Sequence, residues 1–177
     1  MIVVVSDTHA TGAYDLSGAL AEAVRAADVV VHAGDFTGEA ALETFRGEAE
    51  RLVAVHGNAD DATVADRLPT ARVFEEGGVR VAVVHTQRGG ETGLRYFGEE
   101  RDADVVVSGH THRPRVERAG EVLLLNPGSH ERPRGGRATF AELALENGGV
   151  EGAIRATDGA TVAEIAREGR SSGGEGR

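Results

Sequence analysis

Apolar residues in this chain fall into short unbroken runs, separated by polar loops and by longer amphipathic stretches. Residues 2–6 are β-branched until the closing serine, the pattern of a strand buried on both faces. Residues 16–26 carry apolar and alanine positions at helical spacing, with Asp15 or Ser17 placed to cap the amino end. Residues 29–32 read as the next buried strand, 39–50 as a second helix and 52–56 as a third strand. Residues 71–75 and 79–85 flank Glu76-Gly77-Gly78 and predict a hairpin. A helix over 91–101 and a short buried strand over 105–108 follow. Beyond them the pattern turns to hairpins, 115–119 with 121–125 around Gly120, and 137–146 with 150–157 around Asn147-Gly148-Gly149. The alternation followed by hairpins predicts an α/β fold with a terminal β-region. Neither repeat nor linker interrupts it, so residues 1–168 read as one domain. The Gly/Ser-rich stretch 169–177 reads as a disordered tail.

Composition narrows the chemistry. The 177 residues contain no cysteine, which removes disulfides and thiolate metal sites; any metal must be held by His, Asp, Glu or Asn. Asp and Glu number 29 against 19 basic residues, giving a formal net charge of −10. Such a field opposes general nucleic-acid binding, which needs a basic footprint. All the basic residues are arginine, with no lysine. An acidic, lysine-free surface suits a high-salt, halophilic archaeal cytoplasm; a GC-rich genome is the alternative source of the same bias. No run approaches the ~20 apolar residues that span a bilayer, and the amino terminus lacks a signal-peptide pattern. A cytoplasmic protein without membrane partners is expected, and a homo-oligomer is compatible with everything above.

The polar residues that carry chemistry stand where the strands stop. In order these are Ser6-Asp7-Thr8-His9, His32-Ala33-Gly34-Asp35, His56-Gly57-Asn58-Ala59-Asp60, Val84-His85-Thr86 and Ser108-Gly109-His110-Thr111-His112. In a layered α/β sheet the carboxyl ends of strands open onto one crevice. An acid-x-His or His-x-His pair just past a strand can aim both side chains at neighbouring ions. Gly34, Gly57 and Gly109 would let the backbone turn sharply there. A single strand-end Asp is usually a helix cap, and a single His usually a packing residue. Five such ends in order along the chain are not plausibly chance.

The series Asp7-x-His9, Gly34-Asp35, Gly57-Asn58-x-Asp60, His85 and Gly109-His110-x-His112 resembles the calcineurin-like metallophosphoesterase signature. Short length and Asn126-Pro127-Gly128-Ser129 are similar to its small bacterial and archaeal YfcE-type phosphodiesterase branch, which includes a retromer-subunit relative. The resemblance spans about residues 1–157. It implies two mixed β-sheets sandwiched between helices (αββα) with a dinuclear site at one edge. It also implies that Asp7, His9, Asp35 and His112 bind one divalent ion and that Asp35, Asn58, His85 and His110 bind the other, with Asp35 bridging. Asp35, Asn58 and His85 are thereby placed at the catalytic centre. Mixed N and O donors suit manganese first, with zinc, iron, nickel and cobalt as alternatives. A hydroxide between two such ions would attack phosphorus in line, in a small phosphodiester or phosphomonoester substrate.

Two departures bear on mechanism. Larger members of the superfamily place a His after the metal-binding Asn, to protonate the leaving group; here it is Ala59, as is common in the small branch. Thr86-Gln87 follows His85 where the branch shows Gly-His, removing a substrate-contacting His. His56 is then the nearest candidate proton donor. His32 reads as a packing or supporting residue and His130 as a surface one. Asp60 either orients a ligand or caps the next helix. Residues 126–129 are by themselves a tight turn, which the resemblance brings near the metals. Two functional classes follow: a metal-dependent phosphodiesterase or phosphatase, or a non-catalytic protein-binding scaffold of the same fold. Scaffolds lose ligands and this chain keeps all seven, which favours the enzyme.

Overall fold

The computed structural model describes residues 1–134 and 136–169; all but the first residue of the tail expected over 169–177 lies outside them. Fifteen elements follow in order: β1 (Ile2–Val5), α1 (Gly18–Ala26), β2 (Val29–His32), α2 (Glu39–Glu48), β3 (Leu52–Ala54), α3 (Ala62–Arg67), β4 (Ala71–Glu76), β5 (Val79–Val84), α4 (Gly90–Glu99), β6 (Val105–Val107), β7 (Pro114–Ala119), β8 (Val122–Pro127), β9 (Thr139–Glu146), β10 (Gly149–Ala156) and β11 (Thr161–Arg167).

They assemble into two mixed sheets. A six-stranded sheet runs β11-β10-β9-β1-β2-β3 and a five-stranded one β4-β5-β6-β8-β7. The unbroken valine runs are explained by their two faces. In β1 and β2, Ile2, Val4, Val29 and Val31 point into the layer between the sheets, where Val81, Val83, Val105, Val107, Leu123 and Leu125 meet them. Val3, Val5 and Val30 point outward beneath helices, against Leu20, Val24, Phe36, Leu42 and Phe45. The second sheet has the same construction, with Ala82, Val84, Val106 and Leu124 packed outward against Phe97 of α4. Every residue of β1 and β2 is buried, so each valine contributes on the order of 1.5–3 kcal/mol whichever way it faces. The order of layers is helix, sheet, sheet, helix, as the resemblance implied.

Strand direction positions the site. β1 pairs parallel with β2 and β2 with β3; β5 pairs parallel with β6. The carboxyl ends of these five strands emerge at one edge, three from one sheet and two from the other.

Some boundaries differ from the sequence pattern. β3 stops at Ala54, and the His56 N–H donates instead to the Pro69 carbonyl. Ser17 holds the N-cap position of α1, yet neither it nor Asp15 supplies a capping bond. Two elements escape the pattern, α3 and β11. β11 pairs antiparallel with β10 through a stretch whose only buried residues are Ile165 and Arg167. No described helix is long and apolar enough to cross a membrane.

Candidate metal centre

The five strand ends bring all seven predicted residues together. Asp35 Oδ2 lies 3.5 Å from His9 Nε2 and 3.2 Å from His85 Nε2. Asp7 Oδ1 lies 3.8 Å from His9 Nε2 and 3.4 Å from His112 Nε2, and the two imidazole nitrogens approach to 3.1 Å. Asn58 Oδ1 is 3.1 Å from His85 Nε2 and 2.8 Å from His110 Nδ1. Two donor triads have ligand atoms within 4.8 Å of one another, Asp7-His9-His112 and Asp7-Asp35-His85.

Hydrogen bonds behind the rings fix which nitrogens face inward. His85 Nδ1 donates to the Ala33 carbonyl at 2.7 Å and His112 Nδ1 to the Arg132 carbonyl at 2.7 Å. A carbonyl can only accept, so each Nδ1 carries the hydrogen and each Nε2 turns a lone pair to the centre. In the neutral ring the His85 lone pair therefore faces Asp35 Oδ2 and Asn58 Oδ1, three acceptors that only a proton or a metal cation can join. That arrangement calls for a cation, and hard or borderline dications are what carboxylate, amide and imidazole donors hold. The residues fit a divalent metal ion.

Electrostatics agree. Burial pushes the Asp7 carboxyl up, with the Ser6 hydrogen bond and the positive potential of His85 and His112 pulling the other way. At Asp35 burial also pushes up, but the hydrogen bond and charge of His85 outweigh it and the net direction is down. His85 mirrors this: burial lowers its pKa, and Asp35 more than reverses the effect. The pair thus favours positive charge between its members.

The backbone bends unusually to make this site. Asp7, His9, Asp35, His110 and His112 all have left-handed φ, between 50° and 71°. Asp and His tolerate that region better than most residues, but five of the seven predicted ligands there together mark strain at a candidate functional centre. Thr37, β-branched and at φ 78°, is a clearer outlier and was missed in the sequence. Its hydroxyl lies 3.2 Å from His9 Nδ1, and its N–H donates to Asp60 at 2.7 Å. Nothing in the periodicity announces it.

The glycines do a different job from the one expected. Only Gly34 has a left-handed φ, of 93°. Gly57 and Gly109 are required for space: a Cβ on Gly57 would sit 2.2 Å from Asp35 Oδ1, and one on Gly109 1.9 Å from Ser6 Oγ. Asp60 is the orienting residue, its carboxylate accepting from the N–H groups of Asp35, Thr37 and Gly57. The cap of α3 is Asp61, which accepts from Val64. The turn at 126–129 does reach the site: Ser129 Oγ donates to the Asp7 carbonyl and Asn126 Nδ2 to the Gly109 carbonyl.

The sequence matches the family model described as the calcineurin-like phosphoesterase superfamily domain over residues 1–148. The chain belongs to that superfamily. It is 34% identical over 152 residues to a probable metallophosphoesterase of Methanocaldococcus jannaschii, spanning 83% of this chain and 77% of the relative. To phosphodiesterase YfcE of Escherichia coli it is 30% identical over 131 residues, spanning 70% and 67%. A solved structure of a Vps29 single mutant from Entamoeba histolytica superposes with TM-score 0.77 over 94% of this chain and 99% of that one, at 19% identity. That last likeness is one of fold.

Against this calcineurin-like frame, three histidines outside the ligand set can be sorted. His32 is fully buried and stacked on Phe36 at 3.5 Å between ring centroids. Its Nδ1 accepts from the Gly34 N–H, so its Nε2 hydrogen donates to Thr8 Oγ1 at 2.9 Å; it supports both ligand loops. His56 turns Nδ1 to the neighbouring Gly57 carbonyl at 3.2 Å and bonds to none of the seven ligands. His130 is not a surface residue. It is 7% exposed, lies behind the site with Nε2 2.8 Å from the Tyr14 hydroxyl, and leaves Nδ1 buried without a partner among the described residues. Burial pushes its pKa down to about 4. Tyr14 reaches it from a loop 116 residues away, a distance over which local pattern carries no information.

Proposed function

We propose that this protein is a dinuclear metal-dependent phosphoesterase, foremost a phosphodiesterase, acting on a small phosphodiester or phosphomonoester. The observation that carries the reading is the shared Asp35 oxygen, within 3.5 Å of His9 on one side and 3.2 Å of His85 on the other, in a chain whose full donor set is retained. Asp7, His9, Asp35 and His112 would hold one ion; Asp35, Asn58, His85 and His110 the other. When bound, a pair of dications supplies the Lewis acidity and the activated water that phosphodiester hydrolysis needs at neutral pH.

The chain's own residues do the rest. Buried Asp7, Asp35, His85 and His112 form a closed floor, each held by backbone donors or acceptors, so they need not reorganise as charge develops. Asn58 and His110 are exposed at the mouth and give the phosphoryl group its approach. No His follows Asn58, and His56 bonds away from the centre. Protonation of the leaving group therefore falls to solvent.

The test is metal content of the purified protein beside its hydrolysis of bis(p-nitrophenyl) phosphate. Two equivalents of Mn, Zn, Fe, Ni or Co with chelator-sensitive turnover are expected. A metal-free protein, inert after loading with each of these ions, would leave the scaffold reading standing.

A further inference from the structure

Arginine is the only basic side chain available here, and most of the described arginines are tied to carboxylates. Arg72, Arg88, Arg113, Arg132 and Arg134 are the exceptions, with no ion-pair partner among the described residues. Three of these five, Arg113, Arg132 and Arg134, surround the ligand His112. They are not simply neighbours in sequence. His112 Nδ1 donates to the Arg132 carbonyl, and the Arg134 N–H donates to the His112 carbonyl at 3.3 Å. A metal-ligand residue thus clamps the backbone from which two of these side chains spring, and Arg113 is the residue that follows it. Arg113 and Arg134 also line one cavity of about 590 Å³ with His110, Thr111, Pro114 and Arg115.

On a chain of net charge −10, two of the few arginines without an ion-pair partner among the described residues line one cavity beside His110. Guanidinium forks match phosphate oxygens in a bidentate geometry, and charges lining a cleft focus the field on an approaching anion. The reacting phosphodiester has one negative charge and is served by the metal centre. The cavity beyond His110 has room and charge for another. Resting on the phosphodiesterase reading, we propose that Arg113 and Arg134 form a subsite for a second phosphate. The preferred substrate is then a phosphodiester bearing an additional phosphate monoester, of the size of a nucleoside bisphosphate derivative.

A matched pair of substrates tests this: thymidine 5′-(p-nitrophenyl phosphate), and the same compound carrying a 3′-phosphate. Leaving group and reacting diester are identical, so only the second phosphate differs. In the wild type kcat/KM should be about ten-fold or more higher for the 3′-phosphorylated compound, the size expected of a charge-assisted bidentate contact. In the Arg113→Gln/Arg134→Gln double variant that ratio should fall to near one. Arg25→Gln/Arg46→Gln removes the same charge from α1 and α2, and should keep the ratio. Binding gives a readout that needs no turnover: by calorimetry on metal-loaded protein, thymidine 3′,5′-bisphosphate should bind about ten-fold or more tighter than thymidine 5′-phosphate, and the arginine pair should account for the gap. Equal affinities overturn the subsite whether or not the protein hydrolyses either compound. Failure of hydrolysis with the affinity gap intact overturns the phosphodiesterase reading and leaves the subsite. A ratio that survives in the Arg113/Arg134 variant, or collapses equally in the remote control, overturns it as well.

Discussion

The floor and the rim of the candidate metal centre are built on opposite principles. Asp7, Asp35, His85 and His112 are at most 6% exposed, and their tautomers or lone pairs are fixed by bonds to backbone. Asn58, His110, Arg113 and Arg134 stand in solvent. Asn58 and His110 meet each other, and the two arginines make no ion pair to a carboxylate among the described residues. The floor holds its geometry before anything binds; the rim is left for the substrate to order. The contrast teaches where a substitution should act on the chemistry itself and where it should act on selectivity.

The largest effect should come from the floor. Asp35→Asn removes the one carboxylate oxygen placed between His9 and His85. Losing a single fixed electrostatic group in an active site costs about 10²–10³ in turnover, and loss of the shared ligand should reach at least that. Metal analysis should find at least one ion missing while circular dichroism stays native. Wild-type turnover with two metals bound would refute the ligand assignment.

Next in size is the consequence of Ala59. A general acid is worth ~10²–10⁴-fold, and its absence is felt most by poor leaving groups. Aryl phosphodiesters should turn over well and alkyl diesters far more slowly, with His56→Ala changing that dependence little. Similar aryl and alkyl rates, with the alkyl rate collapsing in His56→Ala, would make His56 the acid.

Behind the floor, His130 should make folding sensitive to acid. Its folded pKa of about 4 lies below the ordinary 6.5, so between those values the unfolded chain binds the extra proton. Its stabilising contribution is complete above about pH 6.5 and is lost as pH falls toward 4. The full loss is about 3 kcal/mol. The stability difference between wild type and His130→Asn, from denaturant titrations, should shrink by that amount between pH 7 and pH 4. A difference independent of pH would mean that His130 is not held neutral.

The smallest effect concerns the surface as a whole. If the lysine-free acidic exterior is adaptation to salt, screening its self-repulsion should raise the melting temperature by about 4 °C or more between low and molar KCl. The same salt should weaken anion binding at the arginine rim. A flat melting temperature would favour genome composition as the origin of the bias.

Most of the floor was legible in the sequence, because Asp-x-His and His-x-His pairs at the ends of valine-rich strands are local patterns, and parallel strands deliver them to one edge. Pairing in two sheets was not legible from periodicity, since buried strands read alike in either; it came from family resemblance. The misjudged residues share a cause. His130 is buried by Tyr14 from the far end of the chain, Gly57 and Gly109 are demanded by atoms of other strands, and Thr37 acts through a backbone angle that side-chain identity does not encode. Asp60 and Asp61 are adjacent acids whose roles are divided by which one points inward. β11 is a strand only because β10 offers it an edge.

The left-handed angles at Asp7, His9, Asp35, His110 and His112 have a consequence for the life of the protein in a cell. Such conformations cost on the order of 1–3 kcal/mol each where they are sparsely populated, and less for Asp and His than for other residues. With lone pairs and carboxylates crowded together besides, the metal-free chain should sit well below the stability its sandwich could reach. A ligand at a thousand times its dissociation constant returns about 4 kcal/mol. Metal supply would then govern abundance as well as turnover: molecules starved of metal unfold more often and meet proteases, while loaded ones persist. Scarcity of the ion would thin the population rather than accumulate idle copies.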